Sequence, residues 1–146
     1  MARFRYRMQN ILNVKQKLET QARNEFAVAA AKVTEEENKL KALTDRREGY
    51  KDYLKKLSEG NLDIPKINET NQAIDAMGYL IEDQILQVKF AEKMLEQKRE
   101  ALQAAMQDVK THEKLKERQF EQFLKDEAAN ESKEIDELVS YRYGQQ

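Results

Sequence analysis

The sequence predicts an all-α fold: an elongated, antiparallel hairpin of two coiled-coil helices. Three observations predict it. Charged residues make up 36% of the 146 residues, with 4 Gly, 1 Pro and no Trp. The abundant Glu, Lys, Gln, Ala and Leu side chains lose little freedom in a helix. Apolar residues recur every three or four positions through both halves of the chain. One stop, turn and start signal separates the halves. A net charge of -1, together with this periodicity, argues against a disordered chain, which would be strongly charged and aperiodic.

Helix one is expected over about residues 3–58. Its apolar stripe runs Phe4, Met8, Ile11, then through Lys15 to Leu18, Ala22, Phe26, Ala29, Val33, Glu36, Leu40, Leu43, Arg47, Tyr50, Leu54 and Leu57. Steps of three and four alternate, with one extra step of four near Ala22–Phe26, which reads as a stutter that locally unwinds the coil. The turn is expected over about 59–63. Gly60 suits the left-handed residue that ends a helix. Asp63 is a good N-cap, and Pro65 sits just inside the next helix, where its missing N–H costs nothing.

Helix two is expected over about 64–140, followed by a frayed tail at 141–146. Its stripe carries Ile67, Ile74, Met77, Ile81, Ile85, Val88, Ala91, Leu95, Leu102, Met106 and Val109. It drifts through the polar stretch 110–119, then returns at Phe120, Leu124, Ala128, Ile135 and Leu138. At 1.5 Å per residue the helices would span roughly 80 Å and roughly 115 Å. Folding about residues 61–62 brings Phe4 near residue 119 and leaves later residues without a partner in the chain. Charge agrees with this pairing. Arg3, Arg5, Arg7, Lys15 and Lys17 near the start meet Glu121, Asp126, Glu127, Glu131, Glu134, Asp136 and Glu137 near the end. Such surface pairs are individually weak but select register.

The sequence predicts no enzyme, no cofactor and no metal site. His112 is the single His and reads as an exposed helical residue beside Glu113, which points away from it on a helix. There is no Cys, and no GxxxxGK[ST] or GxGxxG phosphate cradle. Nucleic acid is not an expected partner. The basic segment Arg3–Arg7 spreads over several helical faces, and the pI is about 6.0 with 26 basic against 27 acidic residues. No apolar run is long enough for membrane insertion, and no secretory signal is recognisable. The expected location is cytoplasmic. What remains is apolar surface at two places. Leu43, Tyr50, Tyr53, Leu54 and Leu57 precede the turn, and Ile64, Ile67, Ile74, Met77, Leu80 and Ile81 follow it. Phe120, Phe123 and Leu124 form a second group where helix one has run out. Tyr53 and Leu80 lie off the stripe and so are available to a partner.

The opening Phe4-Arg5-Tyr6-Arg7-Met8-Gln9-Asn10-Ile11-Leu12, the turn at Ser58-Glu59-Gly60, and the segments Glu113–Phe120 and Lys133–Glu137 resemble the FliJ family of flagellar export proteins, which has relatives in the injectisome secretion apparatus. The likeness covers nearly the whole chain. It implies an antiparallel two-helix coiled coil similar to the stalk of rotary ATPases, acting in bacterial flagellum biogenesis and motility. The partners it implies are the hexameric flagellar export ATPase, the membrane export-gate protein and export chaperones. The chain would then sit peripherally on the cytoplasmic side of the membrane. For the gate, the resemblance carries Leu43 and Tyr50 by residue type and Met77 by apolar character, with Arg46 where the family commonly has an aromatic. For the ATPase ring, the terminal end supplies Phe4, Arg5, Arg7, Met8, Phe120 and Phe123. A general coiled-coil scaffold and an injectisome stalk protein are the alternative readings.

Overall fold

The computed structural model describes residues 2–144. It is all-α. Helix α1 spans Gln9–Leu57 and helix α2 spans Ile64–Gly144. The turn between them is built as its residues require. Ser58 N–H bonds to the Leu54 carbonyl at 3.1 Å, and Glu59 N–H to that of Lys56 at 3.2 Å. Gly60 takes φ +86°, a conformation that a side chain would resist. Asp63 then caps α2: its Oδ1 accepts from the Lys66 N–H at 3.3 Å, and its carbonyl accepts from the Ile67 N–H at 3.0 Å.

The chain divides into two compact units. The turn-proximal unit holds Ala22–Leu102, and the terminal unit holds residues 1–21 and 103–146. In the turn-proximal unit α1 and α2 run antiparallel. Lys98 donates to Glu25 at 3.2 Å, and Gln84 donates to the Glu36 carbonyl at 3.0 Å. The Arg99 guanidinium lies 5.6 Å from the Phe26 ring centroid. In the terminal unit Lys15 meets Asp108 at 3.5 Å and Lys116 donates to Gln9 at 2.7 Å. These pairs are the ones that folding about the 60–62 segment brings together.

Burial corrects the expected stripe of α1 by one residue near its start. Leu12 is 2% exposed, whereas Ile11 is 45% and Leu18 47% exposed. Half-buried or buried positions include a seam of Leu12, Lys15, Glu19, Ala22, Phe26, Ala29, Val33, Glu36, Leu40, Leu43, Arg47, Tyr50, Leu54 and Leu57, with half-buried Glu25, Ala30 and Thr44 beside it. Steps of three and four alternate without interruption, so the stutter disappears. On α2 Gln84 and Ala105 occupy seam positions, and their more apolar neighbours Ile85 and Met106 are exposed. The physical reason is the same throughout. A seam keeps its period even where the neighbouring residue is more apolar. The register also holds through the polar stretch, so His112 is half-buried rather than exposed, and its Nδ1 has no hydrogen-bond partner.

Both helix ends differ from expectation. α1 begins at Gln9 rather than near residue 3. Arg3, Arg5 and Arg7 would place three cations at the positive end of the helix dipole. The segment instead turns, with Gln9 N–H on the Tyr6 carbonyl at 3.2 Å. That turn buries Tyr6 in a cluster with Leu12 and Val109, with Phe4 and Met8 packed against it. At the other end, residues 141–144, expected to fray, are helical, and Arg142 lies in the last turn, where a cation complements the dipole. Residues 145–146 of that expected tail lie outside the described residues.

Candidate functional site

The terminal unit gathers most of the residues expected there. The Phe4 and Phe120 rings meet edge to face with centroids 5.1 Å apart, and Phe4 and Phe123 lie 5.5 Å apart. Phe120 and Phe123 stack at 6.5 Å. The non-helical N-terminal segment makes this possible, because it lets Phe4 reach across to α2. Met8 is half-buried and its carbonyl accepts the Leu12 N–H at 3.0 Å. Phe120 remains 43% exposed, so the cluster is open on one side. Arg5 and Arg7 are exposed, and both line a groove of about 360 Å³ together with Phe4, Tyr6, Gln9 and Lys116. The result is an aromatic patch edged by cations. Beyond it Glu127 is half-buried, and residues 128–144 are exposed throughout.

The turn-proximal residues are placed differently. Leu43 and Tyr50 are half-buried, and the Arg46 guanidinium lies 5.8 Å from the Tyr50 ring. Arg46 therefore stacks on the aromatic surface. Met77 is buried. It lies at a seam position, so it is not available on the exposed surface. Tyr53 and Leu80, off the seam, are exposed. The residues that sequence reasoning missed are Tyr79, Leu86 and Phe90, at 74%, 61% and 63% exposure. Their signal is spacing: Tyr79 lies two positions after the seam residue Met77, and Phe90 two after Val88. On a helix, two positions point to the opposite face.

One polar network sits in the seam of this unit. Glu36, 6% exposed, binds Lys32 at 2.9 Å and Lys39 at 3.6 Å, and accepts a hydrogen bond from Gln84. The Lys32 ammonium and the Gln84 amide hold its carboxyl down to about 2. Lys32 is correspondingly raised, chiefly by its bond to Glu36. A carboxylate satisfied from both helices fixes register better than it adds stability. Arg47 also lies in the seam, and its Nε is buried without a partner. Among the described residues there is no group of three His, Asp or Glu placed to hold a metal, and no helix long and apolar enough to cross a membrane.

An aromatic patch with a cationic edge, on a two-helix scaffold, is suited to holding another protein. Comparison with known proteins agrees with that character. Residues 4–146 match the family of the flagellar FliJ protein. Among solved structures, the chain is similar to the proposed YscO homolog CT670 of Chlamydia trachomatis, at 19% identity and a TM-score of 0.66. That match covers 97% of this chain and 96% of the other, and at this identity it speaks to the fold. No curated protein matches. The match over nearly the whole sequence, on the two-helix fold just described, places this chain in the flagellar FliJ protein family.

Proposed function

We propose that this chain is the stalk-like component of a flagellar type III export apparatus, acting by binding other proteins rather than by catalysis. Its terminal unit engages the hexameric export ATPase and promotes ring assembly and hydrolysis. Its turn-proximal unit contacts the membrane export gate through Leu43 and Tyr50, with Met77 held in the buried seam, and export chaperones are further partners. The chain then works at the cytoplasmic face of the membrane. Family membership supports the export role. The observation that carries the ATPase assignment is the open cluster of Phe4, Phe120 and Phe123 beside Arg5 and Arg7. Partly exposed aromatics and arginines are among the residue types enriched in protein interfaces. The family match favours the flagellar system over an injectisome, whose stalk proteins have the same fold.

Binding to the purified export ATPase and to the soluble domain of the gate protein tests this division of labour. Substituting Phe4→Ala with Phe123→Ala should weaken ATPase binding by at least about tenfold and leave gate binding unchanged. Tyr50→Ala should do the reverse. If the Phe4/Phe123 variant keeps full ATPase affinity while remaining helical by circular dichroism, the terminal assignment is wrong.

A further inference from the structure

Helix α1 begins at Gln9 with no acidic residue in its first turn, and Met8 before it is not a capping residue. Gln9 N–H bonds to the Tyr6 carbonyl and Leu12 N–H to that of Met8. Among the described residues the N–H groups of Asn10 and Ile11, between them, have no acceptor. Free amides at the start of a helix point out of its N-terminal end, where the dipole is positive. The groove of about 360 Å³ lies at that end, and its charged lining residues, Arg5, Arg7 and Lys116, are all cations. Among the described residues Arg5 and Arg7 are in no ion pair, and Lys116 donates to the neutral Gln9 side chain. Glu113 and Glu117 border the adjoining groove, which shares Phe4, Gln9 and Lys116 with this one, and they pair with neither arginine. A second observation is independent of the helix end. Tyr6 lines the same groove, is 5% exposed, and its hydroxyl has no hydrogen-bond partner. A buried hydroxyl left unpaired is uncommon in a folded chain.

Two arginines, a lysine, two free amides and an unpaired hydroxyl are all donors. An anion with several acceptor sites satisfies such a set, and a planar carboxylate matches the paired N–H groups of arginine. The neighbouring surface indicates what carries the carboxylate. Phe4 lines this groove and also the adjoining one, where Phe120 lies, so the cationic groove is continuous with the aromatic patch. A ligand that covers both needs an apolar group beside its negative charge. An acidic protein segment with an apolar residue in it offers both, and a free inorganic anion does not. We infer that the start of α1, with Arg5, Arg7 and Lys116, is a carboxylate-binding site that takes an acidic segment of a partner protein, the segment's apolar residue resting on Phe4 and Phe120. This rests on reading the terminal unit as a protein-binding surface, and it names the chemistry of what that surface holds.

Titrating the full chain with the capped peptide Gly-Glu-Glu-Leu-Glu-Glu-Gly, and with its counterpart carrying Gln for each Glu, tests this. Amide NMR and fluorescence anisotropy of the labelled peptides are the readouts. The Glu peptide should bind at least about tenfold more tightly than the Gln peptide, weaken with added salt, and move the amide resonances of Asn10 and Ile11. Arg5→Gln with Arg7→Gln should cost at least about tenfold in affinity. Lysine at both positions keeps the charge but loses the fork, and should cost less. Tyr6→Phe keeps the ring beside Leu12 and Val109 and should weaken binding about threefold. Arg5 and Arg7 are exposed, so helix content should not change in their variants. Equal affinity for the two peptides overturns the inference, as does full affinity in the Arg5/Arg7 Gln variant. Asn10 and Ile11 resonances that stay fixed at about 5 mM Glu peptide also overturn it. Inorganic phosphate that displaces the Glu peptide at equal concentration would overturn it too, and would assign the groove to a free anion. These readouts need the chain alone. A chain that takes the Glu peptide but ignores the export ATPase would refute the export reading and leave this one standing. ATPase binding that needs Phe4 and Phe123 but not Arg5 and Arg7 would do the opposite.

Discussion

Truncating Leu12 and, separately, Ile11 to Ala distinguishes the observed seam from the one that hydrophobicity alone suggests. Leu12 is buried against Tyr6 and Val109. Its truncation removes three buried carbons, worth about 0.8 kcal/mol each, or about 2.5 kcal/mol in all. A residual cavity would add to this, but a two-helix seam collapses easily, so the cost stays near the lower end for Leu→Ala. Ile11 loses the same three carbons, yet it is close to half exposed, so its cost is about 1 kcal/mol. Ala is the better helix former in both cases and trims each value by a few tenths. Urea denaturation followed by far-ultraviolet circular dichroism reads the difference. With a slope of about 2 kcal/mol/M the midpoint should fall by about 1.2 M for Leu12→Ala and by about 0.5 M for Ile11→Ala. Hydrogen exchange should show the Leu12 effect concentrated at the start of α1 and across Val109. If Ile11→Ala lowered the midpoint as much as Leu12→Ala, this seam register would be refuted.

Two further perturbations test the turn and the polar network. Gly60→Ala forces a side chain onto φ +86° and should cost about 1 kcal/mol, whereas Gly60→Asn should cost less; urea midpoints for the pair check this, and equal stability of Gly60→Ala and wild type would count against the turn. Glu36 titrates at about 2 in the folded chain against 4.5 ordinarily. Its contribution is therefore complete above about pH 4.5 and is lost as pH falls from there towards 2. Midpoints measured across that range should fall more steeply for wild type than for Glu36→Gln, and parallel curves would show that the network does not hold the carboxylate.

The main elements were legible because their signals are local. A sustained 3–4 period, with Gly60, Asp63 and Pro65 placed in order, specifies two helices and the turn between them. Two features were not legible in the same way. The seam register near the start of α1 rests on choosing between Ile11 and Leu12, which hydrophobicity cannot separate. At Leu18–Glu19, Gln84–Ile85 and Ala105–Met106 the more apolar neighbour was the wrong choice. Unbroken alternation of three and four identifies the right one in each case. The N-terminal segment fits a helical period equally well, and only the cost of three arginines at a helix start, with Tyr6 to bury, turns it aside.

The candidate site divides along the same line. Phe4 meeting Phe120 follows from folding the chain about its turn, so the terminal patch could be read from numbering alone. Met77 came from resemblance, and its seam spacing already marked it as buried. Tyr79, Leu86 and Phe90 were hidden because one strong stripe conceals another lying two residues away.

The proposed stalk role predicts that this chain raises the catalysis of its partner ATPase. Mixing the purified protein with the flagellar export ATPase, and following ATP hydrolysis and ring formation together, tests this most directly. Faster hydrolysis and more hexamer are expected with the wild-type chain, and loss of both with Phe4→Ala and Phe123→Ala combined. Hydrolysis and assembly unchanged by the wild-type chain would contradict the stalk role.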